Sequence, residues 1–152
     1  GNSVARQDMA IASLFGGSAL ANAGLGAVHG FAGPIGGMFP APHGAVCAAL
    51  LPSVVEANLR AARSPPASHS VVEKYDRVAS LLTGAPEARA DRGIVWVKEL
   101  CLHLRIPGLG AYGITPGDFD SIVEKASRAS SMRANPLELG EEALLGILKA
   151  SL

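Results

Sequence analysis

The segment of residues 9–55 most constrains what this chain can fold into, because it contains no Asp, Glu, Lys or Arg. Its two histidines, His29 and His43, lie among glycines and apolar side chains. An imidazole that leaves water without a hydrogen-bond partner or a metal loses free energy. Each of these histidines therefore needs a partner, and the identity of that partner is the main functional question of the sequence.

Composition limits the class of protein. A chain of 152 residues that is 49% hydrophobic can form one domain with a sizeable core. Its 13 basic and 13 acidic side chains balance, which argues against binding to nucleic acid or to an acidic membrane surface. The two cysteines, Cys47 and Cys101, form no C-x-x-C pair, so we predict buried thiols in a cytoplasmic protein.

Part of the uncharged segment is long enough to be tested as a membrane span, for which about 20 apolar residues suffice. Residues 9–28 are mostly Ala, Gly and Ser, include Asn22, and have no flanking basic cluster. These features argue against a membrane anchor or a signal peptide. The favoured interpretation is a helix that is buried on all sides within a globular bundle.

Hydrophobic periodicity predicts an all-α bundle, because no segment shows the alternation of a strand and the chain has no internal repeat. The first helix is predicted to be central and buried. The glycines and prolines of residues 30–42 predict a loop, and Pro52 predicts a kink in the second helix. Thr115-Pro116-x-Asp118 is typical of a helix start. The predicted helices span residues 3–29, 43–62, 69–82, 87–104 and 115–131, and a final helix that contains Leu144, Leu145, Ile147 and Leu148 reaches the C-terminus.

His29 and His43 then fall at the end of the first helix and the start of the second. A Gly/Pro hairpin could point both imidazoles at one ion, and imidazole is a ligand for Zn or Fe(II). Two nitrogens are an incomplete set, so two separately hydrogen-bonded core histidines remain an alternative. Cys47 lies one turn after His43 and is interpreted as a small buried thiol. His69 and His103, near helix ends, are interpreted as surface residues.

Three motifs around these histidines resemble the signature of iron-containing alcohol dehydrogenases. They are ANAGLGAVHG at residues 21–30, PIGGMF at residues 34–39 and PHG at residues 42–44. The resemblance continues through AALLP at 48–52, KYxxVA at 74–79, LxIP at 104–107, GITxxDF at 113–119 and NP at 135–136. It covers nearly the whole chain and corresponds to the helical C-terminal half of that family, a domain similar to those of dehydroquinate synthase and glycerol dehydrogenase.

This resemblance implies that residues 1–152 are one helical domain, the metal-side half of a two-domain enzyme. The other half would be an N-terminal α/β domain of the same polypeptide, which binds NAD(P). The family holds a divalent metal with an Asp and a His one helical turn apart and two further histidines fourteen residues apart. His29 and His43 match the second pair, whereas the first pair is expected upstream of Gly1.

The resemblance further implies that the metal, Fe²⁺ or Zn²⁺, polarises the oxygen of a small alcohol or aldehyde during hydride transfer. Many family members carry another His four residues after the first motif His, where this chain has Gly33. No catalytic residue can be assigned here, and the cofactor-binding residues are unknown. The alternative function is a non-catalytic helical bundle, a remnant or a regulatory module. In either case we expect the isolated chain to be inactive and to self-associate.

Overall fold

The computed structural model describes residues 2–152, which form eight α-helices and no strand. The predicted all-α fold class is therefore confirmed for this part of the chain. Two 3₁₀ turns, Leu109–Tyr112 and Pro116–Asp118, precede the sixth helix. The helices are α1 (Ser3–Ala23), α2 (Ala27–Met38), α3 (His43–Arg63), α4 (His69–Thr83), α5 (Ala90–His103), α6 (Phe119–Arg128), α7 (Ser130–Arg133) and α8 (Glu141–Ala150).

Two apolar clusters lie on either side of α3. The larger cluster joins α2, α3, α6 and α8, and its largest side chains are fully enclosed. The smaller cluster joins α3 to α4 and α5 through Leu59, Ala90 and Ile94. Because α3 contributes to both clusters, it is the central helix of the fold. Members of the larger cluster include Phe31, Ile35, Val46, Leu50, Leu109, Ile122 and Leu148.

The prediction of one central helix over residues 3–29 is wrong. Helix α1 ends at Ala23, and the chain bends by 100° before α2 begins. Gly24 adopts φ +75, a conformation that glycine reaches without the steric cost of a Cβ, and this ends the helix. Burial was predicted because the helix has almost no polar face. The structure instead buries no residue of α1, so its apolar side chains are exposed to solvent.

The prediction of a loop over residues 30–42 is also wrong, because α2 continues to Met38 with Pro34 inside it. Ala27, Phe31 and Ile35 recur every four residues along one face of α2, and all three are fully buried. Packing of this face against the larger cluster stabilises the helix more than its glycines and proline destabilise it. Only residues 39–42, between α2 and α3, form the irregular connection.

The predicted second and third helices are confirmed as α3 and α4, with ends that agree to within about two residues, and the predicted last helix is confirmed as α8. Gly84 in the left-handed conformation terminates α4, as the Thr83-Gly84 pair predicts. Helix α5 begins at Ala90, later than the predicted residue 87. The cause is a cap from another helix: the Asp76 carboxylate of α4 accepts a hydrogen bond from the Ala90 backbone N–H at 2.8 Å.

The predicted start signal at Thr115 is confirmed. The Asp118 carboxylate accepts hydrogen bonds from the Thr115 backbone N–H at 2.9 Å and from the Thr115 hydroxyl at 2.7 Å. These bonds hold the pKa of Asp118 below its usual value. The predicted continuous helix to residue 131 is interrupted, however, at Ala129, whose ψ of 137° is extended. The short helix α7 that follows packs against α2.

Among the helices of residues 2–152, α3 has the length and hydropathy of a membrane span, with a mean hydropathy of 1.3 over its most apolar window. Within the protein, 39% of that window is already buried. Helices α1 and α2 also pass this test when they are taken together, although they are bent by 100°. A core helix of a globular protein passes the same test, and α3 lies in the core.

Candidate metal centre

The structure brings His29 and His43 together. Their ring centroids lie 5.4 Å apart and the ring planes are inclined by 50°. His43 is the first residue of α3, as predicted. His29 is the third residue of α2, and its predicted place at the end of the first helix is therefore wrong. The two imidazoles meet where two helices begin.

Chain geometry explains how a spacing of fourteen residues produces this contact. From His29 to Met38, α2 rises about 14 Å at 1.5 Å per residue. The connection from Met38 to His43 can span at most about 18 Å when it is extended. Phe39 and Pro42 have extended backbone angles, with ψ of 149° and 127°. The connection can therefore run back along the length of α2 and start α3 beside His29.

Cys47 joins the two histidines. It lies one turn after His43 on α3, and its Sγ is 3.5 Å from His43 Nε2. One ligand atom from each of His29, His43 and Cys47 lies within 4.8 Å of the others. The interpretation of Cys47 as a simple buried thiol therefore needs correction, since it and Cys101 are both half-buried. The spacing of four residues between His43 and Cys47 was the signal in the sequence for this neighbour.

The segment of residues 9–55, which carries the cluster, contains no Asp, Glu, Lys or Arg. Burial, and then the neighbouring His43, lower the pKa of His29, so this imidazole keeps a lone pair free for a metal at neutral pH. Burial raises the pKa of the Cys47 thiol. No carboxylate within residues 9–55 is available to add a negative charge. A bound cation would complete its ligand set with groups from outside this segment.

A pair of side-chain amides fixes the start of α2. Asn135 Nδ2 donates to Asn58 Oδ1 at 2.6 Å, and Asn58 Nδ2 donates to Asn135 Oδ1 at 3.2 Å. Asn135 Oδ1 also accepts from the Ala27 backbone N–H at 3.1 Å, two residues before His29. The sequence identified Asn135 as part of a turn but gave no sign that it pairs with Asn58, which is 2% exposed.

Two glycines of this region, Gly26 and Gly30, allow Asn135 and Met132 to lie close to the start of α2. A Cβ on Gly26 would lie 3.1 Å from Asn135 Oδ1, which is closer than most real contacts. A Cβ on Gly30 would lie 2.8 Å from Met132 Cε and 3.3 Å from the Met132 backbone Cα. Helix α7 and the residues after it therefore contact the first turns of α2 directly. Together with the amide pair, they hold His29 in position.

His29 and Cys47 also line an open groove of about 480 Å³. Gly33, one turn after His29, is exposed, and a Cβ there would meet no atom within 4 Å. His69 and His103 lie elsewhere, at the first residue of α4 and the last of α5, and both are exposed as predicted. Apolar side chains that line the groove are Leu25, Val28, Leu51, Val54, Val55 and Tyr75.

Comparison with known proteins places this architecture in a family. The family model of the C-terminal part of Fe-containing alcohol dehydrogenases matches residues 1–152. The chain is 34% identical over 97% of its length to 1,3-propanediol dehydrogenase of Klebsiella pneumoniae, and 33% identical over 95% to alcohol dehydrogenase 4 of Saccharomyces cerevisiae. It covers 38% and 36% of these proteins, respectively, a little over a third of their length.

Solved structures give the same result. A 1,3-propanediol oxidoreductase matches 99% of the chain with a TM-score of 0.82 at 29% identity, and the chain covers 39% of that protein. The alcohol dehydrogenase from Oenococcus oeni matches 90% of the chain with a TM-score of 0.73 at 32% identity. The chain therefore belongs to the Fe-containing alcohol dehydrogenase family, of which it is the helical C-terminal part.

Proposed function

We propose that residues 1–152 are the metal-binding half of an NAD(P)-dependent alcohol dehydrogenase, in which His29 and His43 bind a divalent metal. The convergence of these two imidazoles from α2 and α3 is the observation that supports this most directly. They also match the pair of histidines, fourteen residues apart, that the family resemblance implies. The whole enzyme would oxidise small alcohols or reduce the corresponding aldehydes in the cytoplasm.

The residues present fit such a metal. Imidazole nitrogens suit both Zn²⁺ and Fe²⁺. Burial, and then the neighbouring His43, lower the pKa of His29, which favours its metal-binding form. An Asp and a His upstream of residue 1 would complete the set, as the family resemblance implies. When bound, the metal supplies Lewis-acid polarisation of the substrate oxygen.

The other residues of the site then have defined tasks. The amide pair of Asn58 and Asn135 orients the start of α2 and so positions His29. The apolar side chains of the groove border the cluster on one side. Gly33 offers no side chain to relay a proton, so the proton of the alcohol would leave through another group. The N-terminal domain would supply NAD(P) as hydride acceptor.

We expect the 152-residue chain alone to be inactive, because hydride transfer needs a bound nicotinamide. The complete polypeptide should reduce NAD or NADP in the presence of a small alcohol. 1,3-Propanediol is the first substrate to test, since it appears in the names of two relatives. Turnover by the 152-residue chain that disappears in His43→Ala would contradict this expectation. A complete polypeptide that oxidises no alcohol would favour the non-catalytic bundle.

We also expect the isolated chain to self-associate through α1. Leu14 and Phe15 are 67% and 68% exposed, and such apolar surface is usually covered. In sedimentation velocity, the double variant Leu14→Ser/Phe15→Ser should remain monomeric at concentrations at which the unmodified chain forms larger species. Leu102→Ser is the control, because Leu102 is 78% exposed on α5. A chain that stays monomeric at high concentration would contradict this expectation. Other exposed apolar residues of α1 are Val4, Met9, Ile11 and Leu20.

A further inference from the structure

We infer that Cys47 is the third ligand of a metal bound by the 152-residue chain alone, which then presents two imidazole nitrogens and one thiolate sulfur. This inference rests on the proposed function of His29 and His43. It goes beyond that function, because it adds a ligand that the family resemblance does not imply and it makes the half-site able to bind zinc alone.

Placement is the first argument. His43 and Cys47 are separated by one helical turn, so their side chains project from the same face of α3. The third member, His29, comes from α2 and faces this pair. Three donor atoms from two helices thus lie within 4.8 Å of one another, and the helical backbone fixes two of the three side chains relative to each other.

Distances are the second argument. For a tetrahedral zinc with Zn–N of about 2.1 Å and Zn–S of about 2.3 Å, adjacent ligand atoms lie about 3.4 to 3.6 Å apart. The distance of 3.5 Å between Cys47 Sγ and His43 Nε2 already has this value. All three ligand atoms lie within 4.8 Å of one another. A contraction of about 1 Å at the widest separation, within reach of side-chain rotation, would therefore complete the geometry.

The surroundings of the two thiols differ, which is the third argument. Cys101 donates a hydrogen bond to the Ala48 carbonyl at 3.6 Å, as expected for a structural thiol. Cys47 has its polar contact with the imidazole of His43. It also lines the open groove beside His29, through which an ion can enter. Cys47 is thus placed for ligation, and Cys101 provides a matched control.

Ligation would be a simple exchange of a proton for a metal. The Cys47 S–H bond breaks, its proton passes to solvent or buffer, and a sulfur–metal bond forms with no change in oxidation state. The two imidazoles contribute lone pairs and remain neutral. One thiolate reduces the charge of a divalent ion to +1. A sulfur donor favours zinc over magnesium or calcium, which prefer oxygen ligands.

Cobalt(II) is the probe that separates these ligands, because it replaces zinc in tetrahedral sites and reports sulfur by a thiolate charge-transfer band in the near ultraviolet. The 152-residue chain, reduced and kept under nitrogen, is titrated with Co²⁺. We expect one equivalent to give both this band and the visible bands of a tetrahedral ion. Cys47→Ser should lose the thiolate band and bind at least about 100-fold more weakly, as expected for loss of a direct ligand, while Cys101→Ser should match the unmodified chain.

Each outcome has a separate meaning. Visible bands without the thiolate band, or a thiolate band that persists in Cys47→Ser, would overturn the role of Cys47 and leave the histidine site intact. The absence of any cobalt spectrum would overturn the role of Cys47 and also metal binding by this half of the site. Zinc binding should release one more proton from the unmodified chain than from Cys47→Ser. Equal release would likewise overturn the inference.

Discussion

Replacing His43 with Ala should weaken zinc binding to this chain by at least about 100-fold, since loss of a direct ligand costs more than loss of a second-sphere partner. His43 is exposed at the first position of α3, so its removal leaves no cavity and no unpaired buried group. The fold should therefore persist, with an unchanged circular dichroism spectrum. Isothermal titration of the reduced chain with Zn²⁺ measures the affinity directly.

His69→Ala is the matched control for this substitution. His69 is also exposed and also the first residue of a helix, α4, but it lies outside the cluster. The control should bind zinc as the unmodified chain does, and His29→Ala should resemble His43→Ala. Equal zinc affinity in the variants of His43 and His69 would mean that any zinc bound by the chain is held elsewhere.

Replacing Asn135 with Ala should lower the free energy of unfolding by about 2 to 4 kcal/mol, because it leaves buried polar groups without partners, each at about 1 to 3 kcal/mol. The groups of buried residues that lose a partner are the Ala27 backbone N–H and the Asn58 amide. The carbonyl of Leu137, a half-buried residue, also loses a donor. Since Ala27 begins α2, zinc affinity should fall as well. Urea unfolding monitored by circular dichroism measures the stability.

Asn22→Ala is the control for this change. Asn22 is exposed on α1, and its amide donates a single hydrogen bond to the Ser18 carbonyl. Its replacement should change stability by less than about 0.5 kcal/mol. In addition, Asn58→Ala and Asn135→Ala should be strongly non-additive, because each removes the partner of the other. Additive effects, or an Asn135→Ala variant as stable as Asn22→Ala, would contradict the role of the amide pair.

Local sequence signals predicted those helices whose ends are decided by nearby residues. The Thr115–Asp118 start and the Gly84 stop are examples, since the groups that satisfy the backbone lie within a few positions. The start of α5 could not be predicted in this way, because its capping group, Asp76, belongs to another helix. Sequence signals predicted helix ends best where the group that caps the helix lies only a few residues away in the chain.

The two largest errors of prediction arose in and around the uncharged segment, where local preference and tertiary packing disagree. Pro34 and its neighbouring glycines predict a loop, but the buried face of Phe31 and Ile35 holds α2 as a helix. Conversely, the composition of α1 predicts burial, while the structure leaves every residue of α1 unburied. Periodicity reveals which faces are apolar but does not reveal what covers them.

The candidate site was predictable in part. The spacing and surroundings of His29 and His43 identified both as possible ligands, and the family motifs strengthened this. Cys47 was noticed but interpreted as a core thiol, because its contact with His43 depends on side-chain directions. The pairing of Asn58 with Asn135 joins residues that are far apart in the chain, and no pattern in a single sequence predicts it.

The metal content of the complete native polypeptide tests the central claim most directly. The native protein and the double variant His29→Ala/His43→Ala would each be purified without chelators. The number of metal ions per polypeptide would then be measured in both by mass spectrometry. The account predicts about one divalent iron or zinc ion per polypeptide, and its loss in the double variant. A native protein without a stoichiometric divalent ion, or one whose ion survives the loss of both histidines, would contradict the claim that this helical half is a metal-binding domain.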